Sequence, residues 1–208
     1  MQKIDHTKEF SYLYKQPKNK VCLVDVPQMQ FLMIDGEKDP NQNPDYSDAV
    51  SALYSVAYKI KFAVKNSSLS INYKVMPLEG LWWADDMSEF SLQDRSNWKW
   101  TMMIMQPDFI TSDMVNEAKE QVKTKKATPK LEDVRIAQYT EGPCMQIFHQ
   151  GPYGEGERDT IQRLHDRISI EGLRLHGKHH EIYFNSPQKT APENLKTIIR
   201  QPVIRAEE

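Results

Sequence analysis

Two stretches of this chain carry the same landmarks in the same order. MQFLMIDGE (29–37) is echoed by MQIFHQGPY (145–153). Each is an apolar, β-prone run that ends in a glycine-containing turn, and each precedes a segment with helical spacing. After the first, Asp45 is placed to cap YSDAVSALYSVAYKIKFAV, where Val50, Leu53, Tyr54, Ala57, Ile60, Lys61 and Val64 fall near one side. After the second, Ile161, Leu164 and Ile168 make a stripe that stops at Gly172. Paired strands follow. INYKVMP (71–77) matches EIYFNSP (181–187), both closing on proline, and MMIMQP (102–107) matches TIIRQP (197–202), both closing on Gln-Pro.

The order is therefore strand, helix, strand, strand, twice over. One further helix, TSDMVNEAKEQVKTKK, joins the copies, with Ser112 or Asp113 as its cap and Met114, Ala118 and Val122 turned inward; ATPKLED after it reads as linker. A single unit leaves much of its sheet face and helix exposed, whereas two can pair about a pseudo-twofold axis and join their sheets. The expected fold class is α+β: tandem duplicated strand-helix-strand-strand units with antiparallel sheets and a ligand groove at the seam. One domain should span 1–208, divided into an N-terminal extension (1–19), a first repeat (20–110), a connecting helix and linker (111–130) and a second repeat (131–208).

Composition removes several function classes. The 27 basic and 29 acidic residues leave a formal net charge of −2, so no basic field exists to hold nucleic acid directly. The one basic run, Lys123 to Lys126, ends a helix and complements its dipole. No apolar run is long enough to cross a bilayer, the N-terminus lacks a signal peptide's apolar core, and the two cysteines, Cys22 and Cys144, read as small core residues. These features point to a cytoplasmic protein. His179 and His180 project to opposite faces of a strand and make a poor two-ligand site, so no metal and no cofactor are expected.

Aromatic residues crowd one region. All four tryptophans fall between positions 82 and 100. Trp98, Trp100, Met102 and Ile104 share a strand face by period-two counting. That face reads as core for Trp100 and Met102, while Trp98 joins the candidate ligand-binding residues. Trp82 and Trp83 are adjacent in a glycine-initiated segment and cannot both point inward easily, which favours a pocket wall over solvent. Tyr54 and Tyr58, four apart on the first helix, can stack. In the last strand pair, Glu181 takes the position of Ile71 and Tyr183 that of Tyr73, so a carboxylate stands where a core residue is expected. It must be paired, by His149 or Arg200, or meet a ligand cavity.

QGPY, HHEIYFNSP, APENLKTIIRQPV and YKVMPLEGLWW together resemble the GyrI-like small-molecule-binding domains, from about Lys20 to Val203. The resemblance implies the duplicated fold, a groove between the halves and a glutamate at its centre, matched here by Glu181. Such domains include effector modules of multidrug-sensing transcription activators and stand-alone proteins that bind DNA gyrase or xenobiotics; this chain has no helix-turn-helix module. The double tryptophan and HHEIYF are similar to one stand-alone subfamily, the cyclopropanoid cyclopropyl hydrolases, which open the cyclopropane of DNA-alkylating natural products. That likeness implies a planar hydrophobic ligand and an aromatic cage drawn from Trp82 or Trp83, Tyr54, Tyr153 and Tyr183. Glu181 would then act as base, raised in pKa by burial, with Tyr183 or Tyr54 as hydrogen-bond donor. The alternatives are binding of planar or cationic drugs without chemistry, and interaction with gyrase.

Overall fold

A computed structural model describes residues 1–90, 94–124 and 127–206. Lys125 and Lys126 of the basic run lie outside the described residues. The N-terminal segment forms β1 (Gln2–Ile4), α1 (His6–Glu9) and α2 (Ser11–Tyr14). The first half follows as β2 (Cys22–Val26), β3 (Met29–Glu37), α3 (Pro44–Asn66), β4 (Ile71–Tyr73), β5 (Leu78–Trp83) and β6 (Lys99–Gln106). After α4 (Ser112–Lys123), the second half comprises β7 (Arg135–Tyr139), β8 (Gly142–Gln150), α5 (Arg158–Ile170), β9 (Leu173–Leu175), β10 (His179–Tyr183) and β11 (Lys196–Arg205).

The main sheet runs β2-β8-β11-β10-β5-β6-β3-β7, with β9 added to β11, and every pairing in it is antiparallel. The fold is thus α+β, built from two three-stranded units, β3-β6-β5 and β8-β11-β10, joined at β5 and β10. Each half's leading strand crosses over: β2 pairs with β8 and β7 with β3. The exchange ties the halves together through backbone hydrogen bonds at both outer edges.

Each helix has its own core on the same side of the sheet. Leu53, Val56, Ala57, Ile60 and Val64 of α3 pack with Leu32, Ile34, Met102 and Ile104. Leu164 and Ile168 of α5 pack on Met145, Ile147, Ile199 and Val203. Gly172 follows α5 with φ of 68°, a left-handed conformation that glycine adopts without strain. The caps differ from those expected. Asn43, not Asp45, caps α3 by accepting the Asp45 amide, because Pro44 already occupies the first helical position. Thr111, not Ser112 or Asp113, caps α4 through the Met114 amide.

Two repeat matches need correction. Residues 71–73 are not the counterpart of 181–183; β4 pairs with β1 in a separate two-stranded sheet, and β10 lies against β5. The Met-Gln landmarks are also one residue out of phase. A row of neighbours runs Leu32, Ile104, Leu78, Tyr183, Thr197, His149 across the sheet. Gln30 lies on that face, whereas Gln146 points to the other, since one residue of slip reverses every side chain.

On that other face, α2 closes a buried polar network behind the seam. His180 places Nε2 3.0 Å from Glu79 and Nδ1 2.9 Å from Glu141. Arg200 donates to Glu141, Gln146 and the Leu13 carbonyl, and the Tyr14 hydroxyl donates to Glu79 at 2.8 Å. Two carboxylates thus face two cations, which is the pairing that makes such burial tolerable.

Candidate functional site

The site is built on β5 and β10. α3 packs over β3 and β6, and α5 over β8, which leaves the two seam strands as a floor between the helices. Gly80 stands opposite Glu181, Trp82 opposite His179 and Leu78 opposite Tyr183. Alternation therefore turns His179, Glu181, Tyr183 and Trp82 to the helix side together. Gly80 makes the arrangement possible: a Cβ there would lie 2.8 Å from Trp82 Nε1 and 3.2 Å from Met102 Sδ. The indole folds down over the glycine beside the carboxylate.

Glu181 is only 8% exposed, and its carboxylate is fully engaged. His179 Nε2 donates to Oε1 at 3.0 Å and the Tyr183 hydroxyl to Oε2 at 2.8 Å. Trp82 Nε1 donates in turn to the Tyr183 oxygen at 3.0 Å. Burial alone would raise the Glu181 pKa, as the sequence suggested. The hydrogen bonds from His179 and Tyr183 and the nearby imidazoles outweigh it, and the group is held below the ordinary carboxylate range. It is an ionised acceptor. Tyr183 is pushed the other way, by burial and then by the Glu181 charge, and stays a phenol donor.

A second carboxyl sits nearby with the opposite character. Glu157, at the end of the single 3₁₀ turn before α5, is 2% exposed. Its Oε2 accepts the Gly154 amide at 2.9 Å, while Oε1 is buried without a hydrogen-bond partner among the described residues. Burial, followed by the charge of Glu181, pushes its pKa up to about 9, so it is a neutral acid at physiological pH.

Rings enclose these groups. Tyr46 lies 6.0 Å from Trp82 and meets Trp100 edge-on at 5.5 Å. Trp98 contacts Trp82 at 5.4 Å and stacks on Phe90 at 4.9 Å, and Phe90 reaches the His179 ring. Tyr153 meets Tyr183 edge-on at 5.5 Å. Tyr46, Tyr153, Tyr183 and Tyr54 are half-buried. Burial pushes the Tyr153 hydroxyl up to about 12, and these phenols remain donors.

Of the residues singled out in the sequence, Glu181, Tyr183, Trp82 and Tyr153 meet here, with Trp98 behind Trp82. Tyr54 stands near enough to Tyr46 and Tyr153 for their hydroxyls to raise one another's pKa. Tyr58 stacks on Tyr54 at 6.2 Å, one turn further along α3 and away from the carboxylates. Trp83 points to the opposite face, where Lys178 Nζ lies 3.3 Å from its ring centre; the adjacent tryptophans straddle the strand. Neither expected partner makes a hydrogen bond or ion pair with Glu181, although the charge of His149 helps to lower its pKa. Arg200 serves the far-side network, and His149 is hydrogen-bonded to Thr160 Oγ1 at 2.9 Å and to the Pro152 carbonyl. Tyr46, Phe90, His179 and Glu157 were not anticipated. Tyr46 had a legible signal, two turns before Tyr54 on the same helix; Glu157 had none within the polar string GEGERD.

The profile of the GyrI-like small-molecule-binding domain matches residues 20–204. The chain belongs to the GyrI-like family. Solved structures agree. A hydrolase from Listeria innocua is 38% identical with a TM-score of 0.82, the match covering 97% of this chain and 100% of that one. A Listeria innocua hydrolase encoded by lin2189 is 40% identical with a TM-score of 0.86, covering 98% and 100%. The C-terminal domain of EcmrR, at 12% identity and a TM-score of 0.57 over 90% of this chain and 98% of that one, shares the fold. No curated protein matches. Among the described residues of this GyrI-like protein, no helix is long and apolar enough to cross a membrane, and no group of three or more His, Cys, Asp or Glu is placed to hold a metal ion.

Proposed function

We propose that the protein is a hydrolase that adds water across the cyclopropane ring of planar, DNA-alkylating cyclopropanoids and so detoxifies them. The observation that carries this reading is a pair of buried carboxyls with opposite protonation at one ring-walled seam: Glu181 ionised, Glu157 neutral. Environments that drive two acids apart are how one site supplies both a base and an acid. The Listeria hydrolases of matching length support a catalytic role.

The chemistry balances with these groups alone. Glu181 takes a proton from water as the water oxygen bonds to a cyclopropane carbon. The strained carbon–carbon bond breaks, and its electron pair moves through the conjugated system to the carbonyl oxygen. That oxygen takes a proton from Glu157, so the product is the substrate plus one water. Tyr183 already gives its one proton to Glu181, so Tyr153 and Tyr54 are the phenols left to donate toward the developing negative charge. Trp82, Tyr46 and Tyr54 hold the flat substrate by area and ring contact. Positioned base catalysis contributes on the order of a hundredfold or more. Incubation of a cyclopropane-bearing alkylator in ¹⁸O-labelled water should yield a ring-opened product carrying one label; binding without any labelled product would defeat the hydrolase reading.

One observation favours a second reading. The low pKa of Glu181 keeps a full negative charge among aromatic faces, the arrangement that receives a lipophilic cation. In that case, ligand would be sequestered unchanged.

A further inference from the structure

The two halves differ at their outer corners. In the first, α4 packs on α3 and β7, and its Val115, Ala118 and Val122 are buried. Ile136, which β7 turns to the helix side opposite Leu32, is half-buried against the same core. In the second half β2 stands where β7 does, at the other outer edge of the sheet. Among the described residues no second helix stands beside α5 as α4 stands beside α3. The helices that precede β2 run to the opposite face, where Tyr14 joins the polar network. Leu23, opposite Met145 on the helix side, is consequently 65% exposed. A cleft of about 1420 Å³ opens there, lined by Leu23, Met145, Leu173 and Val203.

The rims of the two corners carry opposite charge. Lys119 of α4 reaches Glu132, just before β7, at 3.5 Å, and Lys123 pairs with the same carboxylate. The residue just before β2 on the cleft wall is instead Lys20, and Arg205 lines the same cleft. The carboxylates of that lining are already engaged, Glu171 by Arg167 and Glu141 by His180 and Arg200. Lys20 and Arg205 are exposed and have no ion-pair partner among the described residues.

We infer that this corner is a docking site for an acidic amphipathic helix of a partner protein. The first half supplies the template: apolar residues three and four apart, as in α4, would lie on Leu23, Met145 and Val203. Carboxylates beside them would face Lys20 and Arg205, where α4 presents lysines to Glu132. The matching segment has the twelve-residue length of α4, about 18 Å. The corner shares no residue with the seam, so the inference stands apart from the proposed hydrolysis.

The probe is a fluorescein-labelled peptide of residues 111–124 with Lys119→Glu and Lys123→Glu, stapled between positions 116 and 120 to hold it helical. Anisotropy should saturate with the full-length protein. Leu23→Asp should raise Kd on the order of tenfold or more. Lys20→Glu/Arg205→Glu should weaken the acidic peptide and favour the same peptide with both lysines restored. All three positions are exposed, so circular dichroism and the thermal transition should match wild type. No saturation at millimolar peptide overturns the inference, as does equal binding by Leu23→Asp or no reversal of preference in the double variant. Binding of dodecanoate but not of the peptide would assign the cleft to a small lipophilic anion and overturn it. Leu23-dependent self-association in sedimentation without peptide binding would assign the face to a second copy, with the same consequence.

Discussion

Replacing Glu157 with glutamine should make the protein more stable, and the gain should grow with pH. Burial and the Glu181 charge keep the Glu157 proton bound up to about 9, against an ordinary value of 4.5. The unfolded chain releases that proton near 4.5. Between the two values the folded state binds more protons, so stability falls as pH rises. Each pH unit of that span costs about 1.4 kcal/mol, which makes the buried acid destabilising by about 3 kcal/mol at pH 7. Glutamine has nearly the shape of the neutral acid. It retains an oxygen for the Gly154 amide and places its NH₂ where Oε1 has no partner among the described residues, so packing changes little while the titration disappears. The assay is urea unfolding of both proteins at pH 5, 7 and 9. The two should nearly coincide at the lowest pH and diverge above it, the variant being the more stable. Parallel curves, or a variant less stable at every pH, would mean that Glu157 folds as a carboxylate and would remove it as the acid. Activity should fall in the same variant, since glutamine has no proton to give.

Two further outcomes follow from the hydrogen bonds. Tyr183→Phe strips a donor from Glu181 and the acceptor from Trp82 Nε1, and should destabilise the protein by about 3 kcal/mol in urea unfolding; the acid limb of any pH–rate profile should move to higher pH as Glu181 loses a stabilising donor. Behind the seam, burial opposes the charge on His180, but Glu141 and Glu79 more than offset it and raise its pKa. Its contribution is complete below the ordinary value of 6.5 and is lost as pH rises through the folded value. Glu141, held below its ordinary 4.5, contributes above that value and loses its contribution in acid. In the Glu157→Gln background, stability should therefore still decline on the alkaline side; a flat profile there would show that His180 is neutral.

Much of the architecture was legible because it rests on periodicity. The helices α3, α4 and α5 and the strands β3, β6, β8 and β11 lie where apolar spacing put them, and the duplication announced the seam. What misled was register. Matching 71–77 to 181–187 relied on terminal prolines, yet a proline marks where a ladder stops, not which strand it borders. The consequence fell on Trp83: placed in a loop it could line a pocket, but as the last residue of β5 it must face away from Trp82. Glu181 was read as inward-facing through its match to Ile71, which the register overturns; its burial follows instead from β10 lying between β5 and β11 in the main sheet, with Glu181 opposite Gly80. Glu157 was hidden because the 3₁₀ turn that carries it packs against Arg95, a contact distant in sequence that leaves no local trace.

The central claim is that Glu181 activates water at a seam that also binds the substrate. Mass analysis of a planar cyclopropanoid after incubation with wild type and with Glu181→Gln addresses it most directly. Wild type should release a compound heavier by one water, and the variant should release none while the ligand still quenches its tryptophan fluorescence. Full conversion by the variant, or an unaltered mass with wild type, would contradict the account.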